Sequence, residues 1–222
     1  MQTIAIVSGG VDSITLAYHL KSQGHSLHLL SFDYGQRHKK ELQFAAYHAD
    51  QLGAYHDLVD LTCLYPIWLG SALTDETVSV PTGAYTPETL AVTVVPNRNA
   101  IMTAIAYALA STDSAEAVAL GVHSGDHVIY PDCRPEFLQA METAMQLSTD
   151  SSIQLLAPFR HMSKTEIITL GNSLDVPFVH TWSCYQGGAT HCGTCSTCVE
   201  RRNSFVQAGV SDPTHYQGEE TT

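Results

Sequence analysis

An α/β fold, a doubly wound parallel sheet with a cysteine-rich C-terminal segment, is what this sequence predicts, and three observations carry the prediction. Short apolar runs alternate with single helical patterns along most of the chain, Gly or Pro marks the junctions, and four of the six cysteines crowd near the C-terminus. Strands that alternate with single helices imply right-handed βαβ crossovers, hence a parallel sheet covered on both faces. At 222 residues the chain holds one well-buried domain. The expected division is an α/β domain over 1–178 and, over 179–222, the cysteines, a final helix and a tail.

The apolar run at 3–7 reads as a buried strand. A helix over 13–22 then puts Ile14, Ala17, Tyr18 and Leu20 on its inner side, and Gly24 ends it. A second strand over 27–32, a loop over 33–38, a helix over 41–52 closed by Gly53 and a third strand over 57–61 repeat the unit. Residues 62–95 break the rhythm with Pro66, Pro81, Gly83 and Pro87, and a connection of that length in a compact domain is a functional or mobile excursion. Regularity returns as a helix over 100–110, a strand over 117–121, a helix over 135–147 and a short strand over 153–156. Ser163 and Glu166 have capping-box spacing and start a helix through Ile167, Ile168 and Leu170 toward Pro177. A final helix over 199–208 and a frayed tail over 219–222 complete the chain.

Lys and Arg number 10 against 22 Asp and Glu, a formal charge of -12. That field repels phosphate backbones and anionic membranes unless the basic residues cluster, and only Arg201-Arg202 and Arg37-His38-Lys39-Lys40 could do so. The balance favours a small-molecule substrate over nucleic acid, although a salt-adapted surface accounts for it equally well. No apolar run is long enough to span a membrane, and the N-terminal run lacks the basic flank and cleavage site of a signal peptide. With cysteines at metal-like spacing, a reducing, cytoplasmic location is expected.

The segment Ser8-Gly9-Gly10-Val11-Asp12-Ser13 joins the first strand to the first helix. Such a turn presents backbone N–H groups and a positive helix end at one point, which is how phosphate oxygens are held. It lacks the Gly-Lys-Ser/Thr ending of a Walker loop and the G-x-G-x-x-G spacing of a dinucleotide fold. A plain Gly-Gly turn is the alternative. The loop resembles the SGGxDS loop of ATP pyrophosphatases, which hold the β- and γ-phosphates as a leaving group and so make adenylates.

Cys184, Cys192, Cys195 and Cys198 include three thiols at two-residue gaps, with Gly193 to turn the chain. Four thiolates suit tetrahedral Zn²⁺ at ~2.3 Å per bond with no open position, a structural site. An iron–sulfur cluster takes the same ligands, and a redox pair from Cys195 and Cys198 is the third reading. Cys63 and Cys133 lack such partners and are expected to be packed thiols.

With loop and cysteines in place, the chain resembles the 7-cyano-7-deazaguanine synthase (QueC-type) family over nearly its whole length. The match is carried further by 32–38 (FDYGQRH), 95–99 (VPNRN), Gly121-Val122, 130–137 (YPDCRPEF), 164–167 (KTEI) and Ser183-Cys184-Tyr185. The resemblance implies an adenine nucleotide alpha hydrolase-like, Rossmann-like fold and conversion of 7-carboxy-7-deazaguanine and ammonia to 7-cyano-7-deazaguanine. ATP and Mg²⁺ drive two successive adenylations, first of the carboxylate and then of the amide, and Zn²⁺ fills the cysteine site. A homodimer is the family's expectation. Two other classes stay open: an enzyme that joins the activated carboxylate to another amine, on a protein for example, and a non-catalytic ATP-binding module with a zinc knuckle.

On this sequence the ATP site falls at Val7, Ser8, Gly9, Gly10, Val11, Asp12, Ser13 and Gly121, with Asp12 acting through Mg²⁺. Arg98 and Lys164 are candidates to neutralise phosphate charge, with a solvated surface role as the alternative for each. Asp12, Ser13 and Asp126 join them as the expected catalytic set. Tyr34, Gln36, Arg37, Tyr130, Asp132, Arg134 and Glu136 are the expected substrate contacts. Asp132 or Glu136 could accept the N–H pair of a guanine-like base, or cap the next helix. His38 and His123 stand near the site, where a lone histidine is more often solvated or in the core. One departure is visible: 124–129 reads Ser-Gly-Asp-His-Val-Ile where family members carry Asp-Tyr/Phe-Ser-Gly before Tyr-Pro-Asp-Cys. Asp126 is kept and its surroundings are not, which leaves nitrile, amide or conjugate as the product, with the nitrile expected.

Overall fold

β1 (Gln2–Ile6) is the central strand of the computed structural model, which describes residues 1–128 and 130–218. It pairs in parallel with β2 (Ser26–Asp33) on one side and β4 (Ala117–Ala119) on the other. β3 (Tyr55–Asp60) and β5 (Gln154–Leu156) close the edges, giving the order β3-β2-β1-β4-β5. The expected doubly wound parallel sheet is therefore present. Because the chain leaves β1 toward one side and later returns on the other, the order reverses between β1 and β4. Ligand crevices of open α/β sheets open at such a point, beyond the carboxyl ends of the strands.

Alternation along β1 builds both cores. Ile4, with Leu30, Phe32 and Val118, packs on Met102, Ala106 and Tyr107 of α4 (Arg98–Thr112). Ala5, with Leu29 and Ala119, faces α1 (Val11–Ser22), α2 (Glu41–Leu52) and α6 (Lys164–Ser173) through Leu16, Leu20, Ala45, Ala49 and Ile167. Each fully buried Leu or Ile contributes roughly 1.5–3 kcal/mol. α5 (Pro135–Thr149) covers β5, and α7 (Ser196–Ala208) packs on α6.

Several boundaries differ from the sequence pattern for local reasons. β3 begins two residues early, and as an edge strand it leaves Tyr55 and Leu58 exposed, so the apolar run marks it poorly. α7 begins at Ser196 rather than 199 because Cys195 is its N-cap, which ties the helix to the cysteine cluster. The 62–95 excursion is ordered: it carries a 3₁₀ turn at Thr62–Trp68 and a short α3 (Pro87–Ala91), and buries Trp68 and Leu73. Cys63 on that turn is exposed, contrary to the packed thiol expected, whereas Cys133 is buried.

Neither basic stretch forms a surface cluster. Arg201 is 2% exposed and donates to Phe178 O (3.0 Å) and Thr181 Oγ1 (2.9 Å), while Arg202 lies 3.8 Å over the Tyr216 ring. Arg37 donates to the carbonyls of Asp75 (2.8 Å) and Val78 (3.0 Å), and Lys39 pairs with Asp33. Among the described residues no helix is long and apolar enough to cross a membrane. The tail at 219–222 and Ile129 of the divergent segment lie outside the described residues.

Candidate active site

A cavity of about 370 Å³ opens at the reversal point, between the ends of β1, β2 and β4, α4 and the cysteine segment. One end is the glycine turn. There Ser8 Oγ accepts from Gly10 N (3.2 Å), and Ser13 Oγ accepts from Ser8 N (3.2 Å) while donating to Gly10 O (3.2 Å). Val7, Ser8, Gly10, Val11, Asp12, Ser13 and Gly121 all line the cavity. Gly9 does not; it sits at φ +100, where a Cβ would come within 2.0 Å of the Glu41 carbonyl oxygen, so its hydrogen side chain lets α2 start against the loop. Gly121 in turn lets the end of β4 approach the first turn of α1, since a Cβ would meet Ser13 Cα at 3.2 Å.

Charges gather at this end. Lys164 Nζ lies 3.3 Å from Asp12 Oδ2 and 2.7 Å from Glu200 Oε2. Burial alone would depress the Lys164 ammonium, yet Asp12 and Glu200, with Asp126 behind them, hold it well above the ordinary lysine range. Burial, with the Asp12 charge adding to it, raises Asp126. Its Oδ2 accepts from His123 N (3.1 Å). Asp12 Oδ1 is buried without a partner among the described residues. An orphaned carboxylate oxygen with a second carboxylate beside it is a hard donor set, suited to a divalent cation such as Mg²⁺.

The other end is aromatic. Arg98, the first residue of α4, donates from Nη1 to Tyr34 Oη (3.0 Å) and stands 5.4 Å from the Tyr34 ring centre. Tyr130 Oη meets Thr93 Oγ1 (2.7 Å), and Tyr85 and Tyr185 complete the wall. Burial pushes Tyr34 up to about 12 and Glu41 up to about 8, although Gln36 Nε2 donates to Glu41 (3.2 Å). Burial, then the Arg98 charge, pushes His38 down to about 3, so imidazole and carboxyl here are both neutral at pH 7. Cys133 Sγ accepts from Asn99 Nδ2 (3.1 Å), and burial raises its thiol, leaving it a poor nucleophile.

Of the residues singled out by sequence, Arg98, Asp126, Lys164, Tyr34 and Tyr130 are brought together with the loop. Gln36, Arg37, Asp132, Arg134 and Glu136 are not. Gln36 is a buried brace that accepts from Tyr34 N (2.8 Å) and donates to Phe32 O (3.0 Å). Arg37 is spent on the excursion, and Asp132 Oδ2 accepts from Asn99 N (3.0 Å), capping α4 rather than the next helix. Arg134 and Glu136 are exposed at the start of α5. Sequence reasoning missed Glu200, Glu41, Tyr85 and Tyr185 as site residues, and left His38 and His123 aside. Glu200 had one available signal, its place two residues beyond the last cysteine at the start of a helix.

The four Sγ atoms of Cys184, Cys192, Cys195 and Cys198 lie within 4.8 Å of one another, with Cys192 and Cys198 at 4.0 Å. Tetrahedral bonds of ~2.3 Å need sulfurs about 3.8 Å apart. Backbone N–H groups reach the sulfurs as well: Cys192 N to Cys184 Sγ (3.3 Å) and Cys195 N to Cys192 Sγ (3.2 Å), which favours thiolates. The cluster can hold a metal ion. It also supports both ends of the cavity, since Ser183, Tyr185, Thr197 and Glu200 flank its ligands and line the wall.

The profile of the family described as "Queuosine biosynthesis protein QueC" matches residues 2–209. The chain is 53% identical over 219 residues to a 7-cyano-7-deazaguanine synthase from Brucella anthropi, covering 98% of this chain and 94% of that one. It is 53% identical over 218 residues to a synthase of the same name from Ruegeria pomeroyi, covering 97% and 94%. Among solved structures, an NMN synthetase from Francisella tularensis superposes with a TM-score of 0.51 at 16% identity over 95% of this chain and 77% of that one. The U34-tRNA thiolase NcsA from Methanococcus maripaludis, described with its [4Fe-4S] cluster, gives 0.51 at 13% identity over 99% and 76%. These two likenesses are of fold.

Proposed function

The chain belongs to the QueC family, whose curated members here are 7-cyano-7-deazaguanine synthases, and from that premise we propose how its cavity performs the reaction. It is a carbon–nitrogen ligase of the ATP pyrophosphatase type that makes the queuosine precursor 7-cyano-7-deazaguanine. One observation carries the assignment of roles: a single cavity sets the glycine loop and the Asp12–Lys164–Glu200 charges against Arg98 and four tyrosines.

A carboxylate is a poor electrophile, so its oxygen attacks the α-phosphate of ATP, pyrophosphate leaves, and ammonia then displaces AMP from the acyl carbon with loss of a proton. The resulting amide is adenylated in turn through its oxygen, and loss of AMP leaves the nitrile. Ser8, Gly10 and Ser13 hold the departing pyrophosphate, and Lys164 exchanges Asp12 for a phosphate oxygen as charge develops. Asp12 Oδ1, with Asp126 beside it, would hold Mg²⁺, which would supply charge shielding for the pyrophosphate. Arg98 takes the carboxylate of the deazaguanine, while Tyr34, Tyr85, Tyr130 and Tyr185 enclose its planar ring. Neutral Glu41 and His38 leave Arg98 without a competing anion. The four cysteines would hold Zn²⁺ in a structural role, with four thiolates as ligands.

Coverage of nearly the full length of the relatives, all named for one product, favours the nitrile over a conjugate or an inactive binder. The same membership supports a cytoplasmic homodimer acting on small molecules. We take 179–222 as part of the catalytic unit, since it supplies Tyr185 and Glu200. Exchange of labelled pyrophosphate into ATP tests the first step. It should require 7-carboxy-7-deazaguanine; release of ADP and phosphate instead would contradict it.

A further inference from the structure

The 124–129 departure from the family pattern has a physical consequence at His123. This residue ends the stretch that continues β4 into the cavity, and it is 4% exposed. Its Nδ1 lies 3.1 Å from the backbone nitrogen of Gly125. An amide N–H can only donate, so Nδ1 is an acceptor and the neutral ring carries its proton on Nε2. The arrangement needs glycine at 125: a Cβ there would stand 2.9 Å from His123 Cε1 and 3.1 Å from Nδ1, inside van der Waals contact. Two further contacts fix the turn, His123 N donating to Asp126 Oδ2 (3.1 Å) and Ser124 Oγ to Met162 O (2.8 Å).

Nε2 then points between two carboxylates without bonding to either. It is 3.7 Å from Asp126 Oδ1 and 3.9 Å from Asp12 Oδ2, both beyond hydrogen-bonding distance. His123 lines the cavity, so its Nε2–H is a donor that the protein leaves unbonded and that a ligand entering the cavity can meet. Asp12 beside it belongs to the glycine loop and is paired with Lys164, so a phosphate oxygen that takes Lys164 from Asp12 enters within reach of this donor.

We propose that His123, locked by Gly125 as its Nε2–H tautomer, is a fixed donor that binds a phosphate oxygen of the nucleotide beside Asp12 and Asp126. This rests on the reading of the cavity as the adenylation site. His123 does not accept the proton released by ammonia, because Nδ1 is occupied by the Gly125 N–H and Nε2 already carries hydrogen. Its contribution is to orient the phosphate.

Nitrogen-15 correlation spectra of the intact protein, with His123→Gln used to identify the signal, should place the His123 proton on Nε2. A proton on Nδ1, or on both nitrogens, overturns the proposal. In pyrophosphate exchange with MgATP and 7-carboxy-7-deazaguanine, His123→Phe should lose about ten- to a hundredfold in kcat/KM for ATP, the range for a charge-assisted hydrogen bond. His123→Gln, whose amide N–H reaches the same place, should recover most of that loss. A ring that merely packs would predict the reverse, with Phe tolerated and Gln not, and that result overturns the proposal. A parent protein inactive in exchange would overturn both this and the function it rests on, whereas an active parent matched by His123→Phe would remove the histidine's role alone.

Discussion

The two ends of the cavity handle charge in opposite ways. At the glycine loop, Asp12, Asp126, Lys164 and Glu200 are held close enough to balance one another, so under the proposed function an incoming triphosphate would exchange partners rather than meet bare charge. At the tyrosine wall, burial suppresses ionisation: Glu41 rises to about 8, His38 falls to about 3, and Arg98 is left as the cation facing the space. The difference teaches a division of labour. A chain needs compensated charges where charge migrates during reaction, and one fixed charge among neutral groups where a single carboxylate must be recognised.

Both ends stand on the cysteine segment, so its removal is the largest break. Zinc peptides gain on the order of 10 kcal/mol from the metal. Cys195→Ser should therefore lower the melting temperature by well over ten degrees and impair both ends together, at roughly 2–4 °C per kcal/mol for a chain of this size. Elemental analysis of the parent should find about one zinc per chain; iron–sulfur absorbance would replace zinc by a cluster.

Asp12→Ala acts at one end only. It should leave a folded protein whose carboxylate-dependent exchange falls by about a thousandfold, in the upper range for removal of a transition-state contact. Arg98→Met should break the opposite end, raising KM for the carboxylate by about tenfold to a hundredfold, the range for a charged hydrogen bond, and leaving KM for ATP within a few fold. Equal changes in both constants would erase the division. The smallest effect concerns Glu41. Its folded pKa of about 8 exceeds the ordinary 4.5, so its contribution is fully present below about pH 4.5 and is lost as pH rises through 8. Glu41→Gln should flatten that slope and raise the melting temperature at pH 9 by several degrees, with little change at pH 5, by the same conversion of about 2–4 °C per kcal/mol. Parallel melting profiles would show that Glu41 ionises normally.

The charged end was legible in the sequence apart from Glu200, and the aromatic end only in part, through Arg98, Tyr34 and Tyr130. Ser8 to Ser13 are contiguous, and their glycines and acid report a phosphate turn from adjacent residues. Lys164 was singled out by its place in the 164–167 stretch that carries the resemblance and by its charge; the capping box there, in which Ser163 and Glu166 do bond to each other, accounts only for its neighbours. Tyr85, Tyr185, Glu41 and His38 meet only because the excursion and the cysteine segment fold over β2, and no local spacing encodes that meeting. The polar residues at 36, 37 and 132 lie off the cavity, and a motif rich in hydrogen-bonding groups reads the same whether it grips a ligand or its own backbone. Gln36 and Asp132 grip backbone. Gly125 was visible as an anomaly, but its purpose needed the position of the His123 ring.

The most direct test of the whole account supplies ATP, Mg²⁺, ammonia and 7-carboxy-7-deazaguanine and follows product masses over time. The amide should rise and fall as the nitrile accumulates, with one AMP released for the amide and another for the nitrile. Adenylate formation with amide as the final product, and no nitrile at any time, would contradict it.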